Sequence, residues 1–340
     1  MSSLIVVHAD FEAHWPFVAD YWYTQWRDAD ETALIRLSRG DTRRLGEVVK
    51  QPAEVTRLVC LGVAVTPECV QAFQALREAT FPAAYGPSKL EHSSVELLKS
   101  RGVKLYDHQS EGFWGQSVSE FALALTLCAL RQIPQNYHAM LSSHEPWRHY
   151  AAARNQGPGT LGEQFSDNTN FTAGTVAGKR VRIVGAGNIS SRYASFVHML
   201  GADVAAWDPY ATEPNFHRAG TKRVWHLAEL VKDAEIFAPM LPLKGDTRGI
   251  VTADHINALP NGCLVVLATR AMICDMAALR RRVLADELAL AADVFDVEPL
   301  PLDDPLLGRH NVVHTPHLAG RTRDANYQWV ENLMMQFVPG

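Results

Sequence analysis

The chain has 340 residues, a formal net charge of −5 and 47% hydrophobic residues. That length exceeds one typical domain and the apolar content can fill more than one core, so two domains are expected. The mildly acidic balance excludes general nucleic-acid binding and electrostatic attraction to an acidic membrane surface.

At the N-terminus, MSSLIVVHAD lacks a basic stretch ahead of its apolar residues and reads as a strand rather than a signal peptide. No apolar run reaches the length of a membrane span, since FALALTLCALRQI (121–133) meets Arg131 too early. The five cysteines, Cys60, Cys69, Cys128, Cys263 and Cys274, are scattered and form no CxxC pair. This usage fits reduced thiols in a cytoplasmic protein and gives no metal site.

In chain order, apolar strand patterns alternate with helical ones: LIVVHA (4–9), RLVCLGV (57–63), VKLYD (103–107), RVRIVG (180–185), DVAAWD (203–208), EIFAPML (235–241), CLVVLAT (263–269), LAADVF (290–295) and NVVHTPH (311–317). Strands apolar throughout are buried on both faces, as in a parallel sheet covered by helices. The alternation predicts an α/β class, doubly wound. It breaks at LYDHQSEGFWGQ (105–116), read as a domain junction before a long helix that Ser117-Val118-Ser119-Glu120 opens as a capping box. A second break, RNQGPGTLGEQFSDNTNFTAG (154–174), is too long for an ordinary connection and reads as an excursion towards a partner subunit.

VRIVGAGNIS (181–190) takes a strand through Gly185 and Gly187 into a helical pattern. Gly185 permits the turn, Gly187 allows close approach of a pyrophosphate, and backbone N–H groups at the helix start face what lies above. Ser190 stands where a third glycine is common, and a small residue suffices there. A glycine pair also occurs in a bare turn, but DVAAWD ends at Asp208, eighteen residues past Ser190, where a carboxylate can accept hydrogen bonds from an adenosine ribose. Together these predict a dinucleotide site. Asp208 repels a 2′-phosphate and the following PYATEP offers no Arg or Lys, so NAD is expected over NADP. Three later strand ends carry polar groups: Arg270; Asp293, Asp296 and Glu298; and His317. Ligands of open α/β sheets sit beyond such ends. Singly, these residues also read as a surface arginine, a turn acid and a loop histidine.

From about residue 95 to 330 the chain resembles the D-isomer-specific 2-hydroxyacid dehydrogenases, through GAGNIS…WDPY, LPLKGDTRGI, LVVLATRAMICDMAAL, AADVFDVEPLPLDDPLL and NVVHTPHLAG, in that family's order and spacing. The resemblance implies catalytic Arg270, Glu298 and His317, and NAD contacts at Asn188, Ile189, Asp208, Pro242, Thr247, Ala268, Thr269 and Asp293 beside Gly185 and Gly187. It implies a flavodoxin-like substrate domain, 1–116 completed by 319–340, around a Rossmann-type NAD domain, 117–318, usually in a homodimer. It also implies a small 2-hydroxy or 2-oxo acid as substrate. Histidine suits a reversible proton carrier, a glutamate orients it and favours its charged form, and an arginine fork holds a carboxylate. Glu298 sets the chain apart from formate dehydrogenases of the same fold, which have no proton to move.

Two departures bear on substrate. Ala271 follows the arginine where relatives have glycine. YGPSKLEHSS (85–94) replaces a glycine-rich carboxylate-binding segment, with Pro87 removing a donor and Lys89 adding a charge. Lys89 is therefore a candidate substrate contact beside Arg270, while Phe113 and Trp114 read either as pocket wall or as interdomain packing. A phosphite dehydrogenase-like activity and an NAD-sensing co-repressor on the same fold are the alternatives.

Overall fold

The computed structural model describes residues 2–29, 31–83, 88–109, 112–147 and 167–338. The chain divides into two compact units, 1–113 with 321–340, and 114–320.

In the first unit five parallel strands, β1 (Ser2–His8), β2 (Glu31–Leu37), β3 (Val55–Leu61), β4 (Glu78–Thr80) and β5 (Lys104–Tyr106), stand in the order β2-β1-β3-β4-β5. Leu4, Val6, Leu58 and Cys60 face one core with Leu98 and Phe73. Ile5 and Val7 alternate to the other face, where the helices Val18–Arg27 and Arg323–Met334 pack on each other. Trp22, Trp26, Trp329 and Phe337 form an edge-to-face aromatic cluster there. Phe113 belongs to this unit's core, its ring 5.7 Å from Trp15 and 4.9 Å from His108. Burial among these rings takes the His108 imidazole well below its ordinary range, to about 4.

In the second unit seven parallel strands stand in the order β12-β11-β10-β9-β6-β7-β8. They are β6 (Arg180–Val184), β7 (Asp203–Trp207), β8 (Lys222–Arg223), β9 (Ile236–Pro239), β10 (Leu264–Leu267), β11 (Ala289–Ala292) and β12 (Val312–His314). Every residue of β9, β10 and β11 is buried, which is what the unbroken apolar runs require. The order reverses at β6, which pairs with β7 on one side and β9 on the other, and such a switch opens a crevice above the carboxyl ends. One face is covered by the helices Gly115–Leu130 and Asn188–Met199, the other by Ala253–Ala258 and Met276–Leu284. The apolar helix Gly115–Leu130 buries Val118, Ala122, Leu125 and Leu130 in this core, and Trp114 packs there too.

The capping box is a correction. The helix begins at Gly115, two residues before Ser117, and has no side-chain cap. Ser117 Oγ donates to the Ala319 carbonyl (2.5 Å) and Glu120 accepts from Gln116 (2.5 Å). Glycine fits at Gly115 because a Cβ there would meet Arg192 and Asn188 at 2.8–2.9 Å. Residues 154–166 of the second break, and Tyr85, Gly86 and Pro87 of the substituted loop, lie outside the described residues.

At the amino end of the second sheet, Arg182 is buried and donates two bonds to Asp233 (2.8 and 2.6 Å) and one each to the Asp203 side chain (3.1 Å) and carbonyl (2.9 Å). Lys222 closes the cluster on Asp203 at 2.7 Å. These bonds hold the Asp233 carboxyl (through Arg182) and the Asp203 carboxyl (through Lys222, then Arg182) below their ordinary range. A carboxyl depressed in the folded state stabilises above its unfolded pKa, about 4, and loses that contribution as pH falls through the folded value. Arg182→Met is therefore expected to cost about 2 kcal/mol at pH 7, less than a fully buried orphan because both acids reach solvent. Below pH 4, denaturant unfolding should show the variant losing less further stability than the parent.

Candidate active site

β6 enters a turn in which Gly185 adopts φ +111°, a region open to glycine. A Cβ at Gly185 would sit 2.8 Å from the Met240 carbonyl oxygen, so that glycine is required twice over. Gly187 differs: it is exposed, and nothing lies within 4 Å of where its Cβ would be. It precedes the twelve-residue helix Asn188–Met199 and leaves the helix start without a side-chain cap. The first-turn N–H groups thus face an open cradle, which fits the pyrophosphate of a dinucleotide. Asn188 is exposed, Ile189 half-buried and Ser190 buried against the sheet. Arg192 Nη1 donates to the Asn188 carbonyl (3.0 Å), placing a cation one helical turn from the cradle that the glycine spacing gave no sign of.

Asp208, beyond the end of β7, braces this turn. Its Oδ2 accepts the Ala186 N–H (2.8 Å), and Oδ1 accepts those of Tyr210 (2.9 Å) and Ala211 (2.9 Å). A second cation stands beside it, Arg223 of β8, whose Nη2 donates to the Asp208 carbonyl at 3.3 Å. PYATEP itself carries no Arg or Lys, as read from the sequence, yet a cation does reach this end. The cation comes from the neighbouring strand, fifteen residues further on, and not from the residues after Asp208.

Past β9, Thr247 is buried and ties its loop shut, donating to the Pro242 carbonyl (2.6 Å) and accepting the Lys244 N–H (2.7 Å). Pro242 itself is exposed. At the end of β10, Ala268 and Thr269 are buried while Arg270 emerges, its Nη1 on the Thr269 carbonyl (2.7 Å). No carboxylate pairs with Arg270 among the described residues. Ala271 is buried in the short turn that follows.

A close side-chain pair joins two loops. His317 Nδ1 and Glu298 Oε2 are 2.6 Å apart, and Glu298 Oε1 accepts the Phe295 N–H at 2.7 Å. A carboxylate only accepts, so Nδ1 carries the hydrogen and Nε2 is left for other chemistry. The side chains are 45% and 34% exposed, so as a surface pair this one contributes about 0–1 kcal/mol to folding. His317 has φ +53°, a left-handed conformation uncommon for non-glycine residues. Asp293 holds it there: fully buried, it accepts Thr315 Oγ1 (2.7 Å), Leu318 N–H (3.0 Å) and Ala319 N–H (2.8 Å). The Glu298–Pro299 peptide is cis. Asp296, the other acid of this loop, is engaged by Arg280 at 3.2 Å, which also grips Asp304.

The structure thus brings Glu298 and His317 into contact and sets Arg270, Gly185, Gly187 and Asp208 at carboxyl ends of the same sheet. Lys89 lies in the other unit, exposed, lining a cavity of about 240 Å³ with Asp10, His14, Cys60 and Phe81.

Residues 124–319 match the family model of the D-isomer specific 2-hydroxyacid dehydrogenase NAD binding domain. The chain is 30% identical over 210 residues to a D-3-phosphoglycerate dehydrogenase of Archaeoglobus fulgidus, covering 62% of this chain and 36% of that protein. It is 30% identical over 237 residues to the enzyme of that name from Mycobacterium bovis, covering 69% of this chain and 40% of the relative. The chain therefore spans about two-fifths of the length of these curated relatives. Among solved structures, the NAD-complexed D-isomer specific 2-hydroxyacid dehydrogenase of Lactobacillus delbrueckii ssp. bulgaricus matches with a TM-score of 0.68 at 15% identity, over 98% of this chain and 96% of that one. D-2-hydroxyisocaproate dehydrogenase matches at 0.67 and 18%, over 98% and 94%. At such identities the structural likeness shows the two-sheet α/β fold alone. With more than half of its length matched by the family model, and with a glycine cradle that fits the dinucleotide, the chain belongs to the NAD-binding D-isomer specific 2-hydroxyacid dehydrogenases.

Proposed function

We propose that the protein is an NAD(H)-dependent oxidoreductase interconverting a D-2-hydroxy acid and its 2-oxo acid. The observation that carries this reading is the 2.6 Å Glu298–His317 bond, held by a buried aspartate beyond the sheet that also bears the glycine cradle. NAD, when bound, supplies the hydride acceptor and NADH the donor. His317 Nε2 takes the hydroxyl proton in oxidation and returns it in reduction. Glu298 fixes the tautomer and stabilises the imidazolium. Arg270, with no carboxylate partner among the described residues, offers two parallel N–H groups to the substrate carboxylate and polarises the adjoining oxygen. Gly185, Gly187, Asn188 and Ile189 hold the pyrophosphate, Asp208 the adenosine ribose, and Pro242, Thr247, Ala268 and Thr269 the remaining wall. Asp293 serves chiefly by holding the His317 loop. Lys89 is a further candidate contact for an acidic substrate.

A homodimer goes with this reading. The helix Ile133–Met140 and the segment after it expose Ile133 (50%), Tyr137 (68%), Met140 (50%), Leu141 (69%) and Trp147 (45%). A contiguous apolar face of this kind fits a second copy of the chain.

The two glycines separate folding from binding. Gly185→Ala is expected to unfold at lower temperature, because of both its φ and the Met240 carbonyl. Gly187→Ala should keep the parent melting temperature yet lose NADH affinity about tenfold or more, its methyl filling the cradle. Thermal unfolding with and without NADH, and NADH fluorescence titration, read both effects.

Chemistry is tested with NADH and a panel of 2-oxo acids, following absorbance loss. His317→Ala should reduce kcat/KM by about 10²-fold or more in both directions with NADH binding retained. Glu298→Gln removes the carboxylate opposite His317 Nδ1, so kcat/KM should fall about tenfold or more with NADH binding retained. Arg270→Lys keeps the charge and loses the fork, and turnover should collapse. Near-parental rates in all three variants, or no oxidation of NADH by the parent with any acid, would refute the assignment.

The dimer has its own check. Tyr137→Asp with Leu141→Asp should convert a dimeric parent to monomer in light scattering, without loss of helical signal.

A further inference from the structure

Arg223 is held in an unusual way for a residue near a dinucleotide site. Its guanidinium carbon lies 3.9 Å from the Trp225 ring centroid and 5.1 Å from that of Phe216. Phe216 is buried beneath it, while Trp225 is 68% exposed. One nitrogen donates to the Asp208 carbonyl (3.3 Å), and Nε is buried without a hydrogen-bond partner. No carboxylate pairs with Arg223 among the described residues. Its neighbours are otherwise committed: Lys222 pairs with Asp203 (2.7 Å), and Arg218 bonds the Pro214 carbonyl (3.2 Å) and Asn215 (3.4 Å).

A guanidinium resting against two aromatic rings gives up less freedom when it binds an anion. It is also a charge with no carboxylate partner among the described residues. The anion most suited to it lies at the adenosine end, because Arg223 touches the backbone of the residue that marks that end. The Asp208 carboxylate, the group expected to repel a phosphate there, already accepts three backbone N–H bonds. It has about four acceptor sites in all, and the donors spread and stabilise its charge.

We infer that Arg223 makes the adenosine end tolerant of a 2′-phosphate, so that the protein binds NADP(H) as well as NAD(H). The inference rests on the proposed dinucleotide site and adds a second ligand to it. A ribose 2′-phosphate carries nearly two negative charges and three acceptor oxygens, which the N–H groups still free on the Arg223 Nη atoms can meet. Asp208 remains a cost, and for that reason dual use is expected rather than a reversal of preference.

The test is equilibrium binding, read by fluorescence titration of the protein with NADH and NADPH and by calorimetry with 5′-AMP and 2′,5′-ADP. The parent should bind NADPH within about tenfold of NADH. Arg223→Gln should weaken NADPH and 2′,5′-ADP by about tenfold or more, as for loss of a charge-assisted bond, and leave NADH and 5′-AMP within about threefold. Equal weakening of both pairs would show that Arg223 only supports the Asp208 loop and would overturn the inference. So would a parent that binds NADH but takes NADPH more than about 100-fold less tightly, a result that stands even if the variant does not fold. Failure of the parent to bind either dinucleotide would instead overturn the proposed site.

Discussion

A carboxylate with no exposure to water is the constraint on which the Glu298–His317 end of the sheet depends. Asp293 sits just past β11 with 0% of its surface accessible. A buried anion is costly unless donors surround it. Its three donors all come from residues 315–319, the segment after β12. Satisfying Asp293 therefore dictates the path of that segment, and the path puts His317 into a left-handed conformation it would not choose alone. The same loop that begins at Asp293 returns Glu298 to meet the imidazole. One buried charge thus orders both halves of an exposed pair.

Asp208 does the corresponding work at the other end. It closes no pair of side chains; it collects N–H groups from the glycine turn and from its own loop. The turn after β6 and the end of β7 become one piece, and Gly187 is held open at its edge. Both aspartates stand at strand ends of a parallel sheet, where backbone donors of the following loops would otherwise be unsatisfied. In each case the acid seen in sequence as a ligand contact is first of all a bracket for the backbone.

Much of this was legible in the residues. The unbroken apolar runs of β9, β10 and β11 declared buried parallel strands, and the glycine spacing with Asp208 declared the cradle. The three strands that went unseen are those with weak patterns: β2, half-exposed and interrupted by Arg36; β4, three residues long; and β8, two residues long. Missing β8 also hid Arg223, because its nearness to Asp208 is a fact of strand pairing, Ala206 opposite Arg223. The Ser117–Glu120 pattern fitted a capping box, yet the helix gained more by starting at Gly115, where the absent side chain admits Asn188 and Arg192. Asp296 and Glu298 could not be ranked by spacing alone, and Arg280 ranks them by taking Asp296 out of reach.

Charges in the second unit then fall into two kinds. Arg182, Arg282 and Asp293 are buried and have their valences filled: Arg282 alone bonds Glu287, Asn261 and the carbonyls of Ile256 and Leu259. Such closed networks position strands and loops, and they have no capacity left for a ligand. His317, Arg270, Arg192 and Arg223 are each held in place, by a carboxylate, a carbonyl or aromatic rings, with donors or a lone pair still to use. A side chain that is oriented but not satisfied is what a binding or catalytic group requires, since its geometry is set before the ligand arrives and its hydrogen bonds are not. All four of these groups lie toward the carboxyl ends of the strands, and the saturated arginines lie toward the amino ends or beneath the helices. The division follows from the parallel sheet itself: only at the carboxyl edge do loops, helix starts and strand ends present unfilled donors together.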